Sequence, residues 1–369
     1  MAYRVQYPRK RFIRNLLRGL GRILVRLLAR VEIHGLDRFP RDGPLIVVGN
    51  HTGAMEVVLL TIYTPRLIEY LGSVDIPHEG YIAAFVYSYD FIPVFRGKAS
   101  REALEAGLDV LRQDGVLGLF PEGGIWEPAI RRAQAGVAWL SYRGEAPILP
   151  IGFGSTRGAL VDMLRLQRPK LTMYVGEPIP PVELVPGTPR KTVFQHASDR
   201  IVDAIWALVP KDEQPDPVPI EDESFSFEVG AFDRSGEQEP IPSDLQLKHG
   251  AALSKIIHRT TLFNNLLQNL GLPVEPLKQL DRAPEIEELL AATSAILAYL
   301  EQDNPYYFTY RYGPKEGREM GAGVREFHEL LHWARAQGYR LKATARRRFR
   351  HAETGETHTY TTPQETEKW

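Results

Sequence analysis

The chain has 369 residues, a formal net charge of −1, and 43% hydrophobic against 25% charged side chains, the balance of an ordinary globular protein of about two domains. It contains no cysteine, which excludes a disulfide scaffold, a thiolate metal site and a cysteine nucleophile, and leaves catalysis to oxygen and nitrogen groups. No stretch reaches the roughly 18 apolar residues of a spanning helix and the N-terminus has no signal-peptide core, so the sequence predicts neither secretion nor a standard membrane-spanning helix.

Near-neutrality is a cancellation between segments. Residues 1–31 carry nine basic side chains and no acid, Asp212 to Asp244 carry eleven acids and one base, and Arg340 to Arg350 carry six bases and no acid. The first of these segments has a helical period. At about 100° per residue Arg14, Arg18, Arg22, Arg26 and Arg30 share one half of the wheel, and Leu16, Leu17, Leu20, Ile23, Leu24, Leu27, Leu28 and Val31 share the other. Such a helix can lie in a bilayer interface, with its aliphatic half among acyl chains and its arginines on lipid phosphates. The alternative is a charged face in water, with the leucines packed on the body of the protein.

From Gly43 to Gly176 strands and helices alternate. Strand-like runs are Pro44–Val48, Phe91–Phe95, Val116–Phe120, Pro147–Ile151 and Leu171–Val175; helical runs are Met55–Tyr63, Arg101–Gln113 behind a Ser100 cap, and Glu127–Tyr142. This alternation predicts an α/β fold, a mixed and mainly parallel sheet flanked by helices. Three strand-to-loop junctions carry polar residues. After the first strand come Asn50 and His51, with Glu56 five residues beyond the histidine, a spacing at which a carboxylate can bind one imidazole nitrogen and leave the other free as a base. A histidine capping a helix beside a solvated glutamate has the same spacing. After Ile92-Pro93-Val94-Phe95, Arg96-Gly97-Lys98 offers either a phosphate-binding fork or a plain surface arginine. The third junction, Phe120-Pro121-Glu122-Gly123-Gly124, offers a fixed carboxylate and unshielded backbone N–H groups, or a simple turn.

Taken together and in this order, the junctions resemble the phospholipid/glycerol acyltransferase family, whose blocks read Asn-His followed by four residues and Asp, an apolar run ending in Arg, Phe-Pro-Glu-Gly, and a proline between aliphatics. The matching residues are Asn50-His51 with Glu56, Ile92 to Arg96, Phe120 to Gly123, and Ile148-Leu149-Pro150-Ile151. The resemblance covers about residues 30–210. It implies that His51 is the general base on an acceptor hydroxyl and Glu56 its acidic partner, and that Arg96, Glu122, Gly123 and Gly124 hold the acceptor. It also implies no metal or cofactor, with acyl-CoA or acyl carrier protein as thioester donor. Three departures stand out. Glu56 replaces Asp, Gly124-Ile125-Trp126 replaces Thr-Arg-Ser and so removes a cation, and Asp90 stands where glycine is common. Neither a Gly-x-Ser-x-Gly elbow nor a phosphate loop is present.

Residues 211–244, rich in Pro, Asp, Glu and Ser, read as an extended acidic linker of low core-forming capacity. Beyond it, helices are expected over Leu245–Leu270, Pro284–Glu301 and Val324–Gln337, a strand over Tyr306–Tyr310, and a basic hairpin over Arg340–Thr361 turning at Thr354-Gly355. His328-Glu329-Leu330-Leu331-His332 has the spacing of zinc peptidases, but Val324, Phe327, Leu331 and Ala334 equally form an ordinary core face. The Arg346–Arg350 cluster suits lipid headgroups or the acidic linker; no nucleic acid partner is expected.

The sequence therefore predicts a membrane-surface helix (1–31), an acyltransferase domain (32–210), a linker (211–244) and an α+β extension (245–369). The expected protein is peripheral on the cytoplasmic face of a membrane and contacts membrane lipids. The rival readings are a catalytically impaired lipid-binding member of the family and a C-terminal zinc hydrolase.

Overall fold

The structure, a computed structural model, describes residues 4–73, 88–94, 101–123, 133–214, 220–259, 266, 270 and 285–362. Arg96, Lys98, Ser100, Gly124, Ile125 and Trp126 lie outside the described residues. The chain divides into two compact units; the described residues up to 214 belong to the first and those from 220 to the second.

The first unit is a seven-stranded sheet. In chain order its strands are β1 (Arg30–His34), β2 (Leu45–Gly49), β3 (Ile68–Ser73), β4 (Ile92–Val94), β5 (Val116–Leu119), β6 (Ile148–Gly154) and β7 (Lys170–Val175). They are arranged β1-β7-β6-β2-β5-β3-β4. The run from β6 to β4 is parallel, whereas β7 is antiparallel to β6 and parallel to β1. The sheet is thus mixed and mainly parallel, as the βα alternation predicts. Every residue of β2, β5 and β6 is buried, because a parallel strand covered on both faces reads as an unbroken apolar run. Leu45 and Val47 enter one core cluster and Ile46 and Val48 another, so the period of two divides β2 between two helical layers. Those layers contain α2 (Met55–Tyr63), α3 (Arg101–Leu111), α4 (Gly136–Gly144), α5 (Ala159–Leu164) and α6 (Arg190–Leu208).

The N-terminal helix α1 (Arg11–Leu28) is present, but its arginines are turned onto the body of the protein, which neither sequence reading expected; the outward apolar face matches the first reading alone. Arg14 is fully buried, with its guanidinium on the equally buried Glu69 of β3 (Nη2 to Oε2, 2.8 Å) and over the ring of Tyr89. Arg18 donates to the carbonyl of Thr64 and Arg22 to that of Ile62, satisfying acceptors that the C-terminal end of α2 leaves without helical partners. Gly21 permits this approach, since a Cβ there would stand 2.8 Å from Cγ2 of Ile62. The apolar face consequently points outward, with Phe12, Leu20, Ile23 and Leu27 exposed by 81, 58, 62 and 65%. The helix stops at Leu28, and Arg30 opens β1 against Lys170 instead of completing a helix to residue 31. Asp90 has φ 67°, the left-handed region that favours glycine; its carboxylate pairs with Arg9 and Lys10 beside the same cluster.

The second unit is a four-stranded antiparallel sheet in the order β11-β10-β8-β9, covered by helices. Its strands are β8 (Ile220–Phe232), β9 (Gln238–Glu239), β10 (Arg340–His351) and β11 (Thr357–Thr362), and its helices α7 (Gly250–His258), α8 (Ile286–Ala298), α9 (Tyr307–Tyr312) and α10 (Pro314–Gln337). The expected acidic linker is corrected here: 13 of its residues form β8, the partner of β10 along nearly its whole length. Phe225, Phe227, Val229 and Ala231 alternate with polar residues, and the acids meet the basic strand. Arg346 pairs with Glu228, Arg347 with Glu223, and Arg350 with Glu221 and Asp222. Composition counts these charges without their partners, so the segment reads as linker. A second correction is Tyr306–Tyr310, expected as a strand and found entering α9, where Tyr307 and Phe308 are buried in the helical core. The hairpin of β10 and β11 and the Val324–Ala334 core face of α10 are as predicted.

Candidate active site

Because β6, β2 and β5 run parallel side by side, their carboxyl ends open on one edge of the sheet, where α/β folds bind ligands. His51 follows β2. Asn50 is buried and fastens that end to β6: its Nδ2 donates to the carbonyl of Phe153 (2.9 Å) and its Oδ1 accepts the Phe153 N–H (2.7 Å). Phe120, just past β5, stacks on the His51 imidazole with ring centroids 4.3 Å apart and planes within 19°. The ring of the candidate base is thereby held flat against an aromatic wall.

Glu56, in the first turn of α2, is completely buried. Its Oε2 lies 3.5 Å from His51 Nδ1 and accepts the N–H of Gly53 at 3.1 Å. Its Oε1 accepts the N–H of Thr52 (3.2 Å) and the hydroxyls of Thr52 (2.7 Å) and Thr156 (2.6 Å). Burial by itself raises the pKa of this carboxyl; the hydrogen-bonding and charge of His51, with the Thr156 and Thr52 hydroxyls, outweigh it and hold Glu56 below its ordinary value. The carboxylate is therefore ionised at neutral pH, facing Nδ1 and leaving Nε2 as the nitrogen available to a substrate. The Nδ1 contact is longer than a well-formed hydrogen bond.

The third junction is a turn with a fixed carboxylate, both of which the sequence reading offered, and departs from that reading only at the Gly123 N–H. Phe120 to Gly123 form a turn in which the Gly123 N–H donates to the Phe120 carbonyl (3.0 Å), with Gly123 at φ 74°. That N–H is committed within the turn. Glu122 is 5% exposed and its Oε1 accepts the indole N–H of Trp206, on α6, at 3.0 Å. Among the described residues the structure thus brings together His51, Glu56 and the Phe120–Gly123 turn. A pocket of about 240 Å³ adjoins the Glu56 clasp, lined by Thr52, Phe153, Ser155, Thr156, Arg157 and the 212–214 segment.

Sequence reasoning missed Thr52, Thr156 and Trp206. Thr52, four residues before Glu56, was open to inference as a local partner. Thr156 and Trp206 lie 100 and 84 positions from the carboxylates they bind, and only the strand order brings them near. In the second unit, His328 and His332 sit on α10 with their Nε2 atoms 3.2 Å apart, and His328 Nδ1 meets the Thr293 hydroxyl at 2.8 Å. Among the described residues, no group of three or more His, Asp and Glu side chains is arranged to hold a metal ion.

The candidate site thus consists of a histidine at a strand end, an ionised carboxylate behind it and a Phe-Pro-Glu-Gly turn against its ring. Residues 30–154, whose described part lies within the first unit, match the family model described as Acyltransferase, in keeping with the resemblance of the site blocks to the phospholipid/glycerol acyltransferases. Among curated proteins, the chain is 20% identical over 159 residues to the 1-acyl-sn-glycerol-3-phosphate acyltransferase of Bacillus subtilis (strain 168), a match spanning 43% of this chain and 78% of that protein. Among solved structures, the 1-acyl-sn-glycerophosphate (LPA) acyltransferase PlsC of Thermotoga maritima aligns with a TM-score of 0.39 and 18% identity, over 56% of this chain and 86% of its own.

Proposed function

We propose that this chain transfers a fatty acyl group from an acyl-CoA or acyl carrier protein thioester to the hydroxyl of a lysophospholipid resembling 1-acyl-glycerol-3-phosphate. The observation that carries the reading is His51, with Nδ1 facing buried, ionised Glu56 and its ring stacked on Phe120. In the proposed step Nε2 of His51 accepts the acceptor hydroxyl proton as that oxygen bonds to the thioester carbonyl carbon. Collapse of the tetrahedral adduct breaks the carbon–sulfur bond, and the imidazolium returns the proton to the departing thiolate. A thioester is already activated, so positioning and one proton relay suffice. The family resemblance supports the remaining assignments: Arg96 and Gly124 on the acceptor side, and no cofactor.

The outward apolar face of α1 supports work at a bilayer, with Phe12, Leu20, Ile23 and Leu27 entering the acyl boundary. No helix among the described residues is long and apolar enough to cross a membrane. The test is an acyl-transfer assay with purified protein on lysophospholipid acceptors with and without a phosphate. Wild-type turnover of phosphorylated acceptors is expected, and His51→Ala should lower it by about 100-fold or more. Full activity in His51→Ala, or reaction of non-phosphorylated acceptors alone, would remove the corresponding part of the proposal.

A further inference from the structure

We propose that Thr156 is a positioning residue of this reaction, acting on His51 through Glu56; the inference rests on the His51–Glu56 reading above. Glu56 receives its hydrogen bonds from two places. Thr52 and Gly53 belong to its own loop, whereas Thr156 is the one donor among the described residues that reaches it from a distant part of the chain, the segment that follows β6. It is 2% exposed and makes the shortest contact to the carboxylate, 2.6 Å from Oε1. Its own place is fixed from both sides. It stands two residues past Gly154, the end of β6, and its carbonyl accepts the Ala159 N–H at the start of α5 (3.2 Å).

A glutamate has one more rotatable bond than an aspartate and, in a buried site, no water to complete its hydrogen bonding. With Oε1 held by Thr52 alone, the carboxylate plane is set by a loop that also carries the base. With Thr156 added, it is also held by the segment between β6 and α5. The Asn50 bridge between β2 and β6 gives base and clasp a common frame. The Thr52 and Thr156 hydroxyls are 3.0 Å apart, and each directs a proton to the same oxygen. Oε2 is left to Gly53 and to the facing Nδ1 of His51, 3.5 Å away, which turns Nδ1 inward and Nε2 outward. Loss of the Thr156 hydroxyl removes a donor from a buried carboxylate, raises its pKa and frees its rotation.

The experiment compares steady-state acyl transfer by the full chain as wild type, Thr156→Val, Thr156→Ser and His51→Ala across pH. Thr156→Val keeps the shape and removes the hydroxyl. It should lower kcat about 10- to 100-fold with KM changed less than about twofold, and move the acidic limb of the kcat profile to higher pH. Thr156→Ser should return kcat to within about threefold of wild type. In a Glu56→Gln background, Thr156→Val should have little further effect on kcat, because its route to the base is gone. Wild-type kcat and pH profile in Thr156→Val, or a serine variant as impaired as the valine, would overturn the inference. So would an undiminished Thr156→Val effect in Glu56→Gln. If Thr156→Val fails to accumulate folded, the serine rescue and the profile of Thr156→Ala decide by the same criteria. Loss of activity in His51→Ala with none in Thr156→Val defeats this inference alone; activity retained in His51→Ala defeats the underlying reading.

Discussion

In α1 the guanidiniums of Arg14, Arg18 and Arg22 turn inward, onto a buried carboxylate and the carbonyls ending α2, while in β10 Arg346, Arg347 and Arg350 meet carboxylates of the neighbouring strand at or near the surface. Both segments are basic, and both look in sequence like surfaces for anionic lipid. The helix binds through its charged face and presents its apolar one. The strand neutralises its charge sideways, in register with β8, and turns its apolar residues to the helices behind it. The difference lies in geometry. A helix with all its arginines on one face has to choose which face it docks, whereas a strand sends alternate residues to opposite sides and can pair its charges laterally. Charge content alone says nothing about which of these a segment does.

The largest expected effect tests the buried side of that contrast. Glu69→Ala leaves Arg9 and Arg14 without their shared carboxylate and should cost about 3–5 kcal/mol in urea unfolding of the first unit. A loss under about 1 kcal/mol would mean that the inward arginines do not hold α1. Next, Leu20→Glu with Leu24→Glu, both exposed, should weaken binding to anionic lipid vesicles by about 100-fold without lowering thermal stability. Unchanged flotation would show the outward face has another use.

A smaller effect follows from Glu56. Its pKa is held below the ordinary value in the folded chain, so its ionised form adds stability that is complete above the unfolded-state value near about 4.3 and lost as pH falls through the lower folded value. Glu56→Gln should flatten that part of the acid limb of stability against pH, and an unchanged limb would refute the linkage. The smallest effects belong to β10. Arg350→Gln removes half-exposed pairs and should cost about 0.2–1 kcal/mol, less at high salt. Glu223→Gln, which serves both Arg259 and Arg347 from a more buried place, should cost more than Arg350→Gln; the reverse order would contradict a gradient set by burial.

Much of the first unit was legible because its signals are local. The apolar run Leu45–Val48, the helix over Met55–Tyr63 and the His51–Glu56 spacing are each written within a few residues, and parallel strands buried on both faces have little choice of partner. The β8 strand was not legible in the same way: its acids lower its apparent core-forming capacity, and the arginines that offset them lie about 120 residues away. The Asp90 departure resisted reading until its backbone was known; at φ 67° the requirement is for a residue that tolerates the left-handed region, and Asp meets it while reaching Arg9.

By itself the sequence determined the α/β class, the order of the site blocks, the candidate base and its carboxylate, and the amphipathic period of α1. Only the tertiary structure decided which face of α1 is turned outward, that the acids of 221–228 and the bases of 346–350 form one sheet, and that Thr156 and Trp206 hold the two site carboxylates. The first set depends on periodicity and short spacing, which covalent connectivity transmits directly. The second depends on which distant segments share a strand edge or a helix face, and that is settled when buried charge finds a partner and apolar faces find cover.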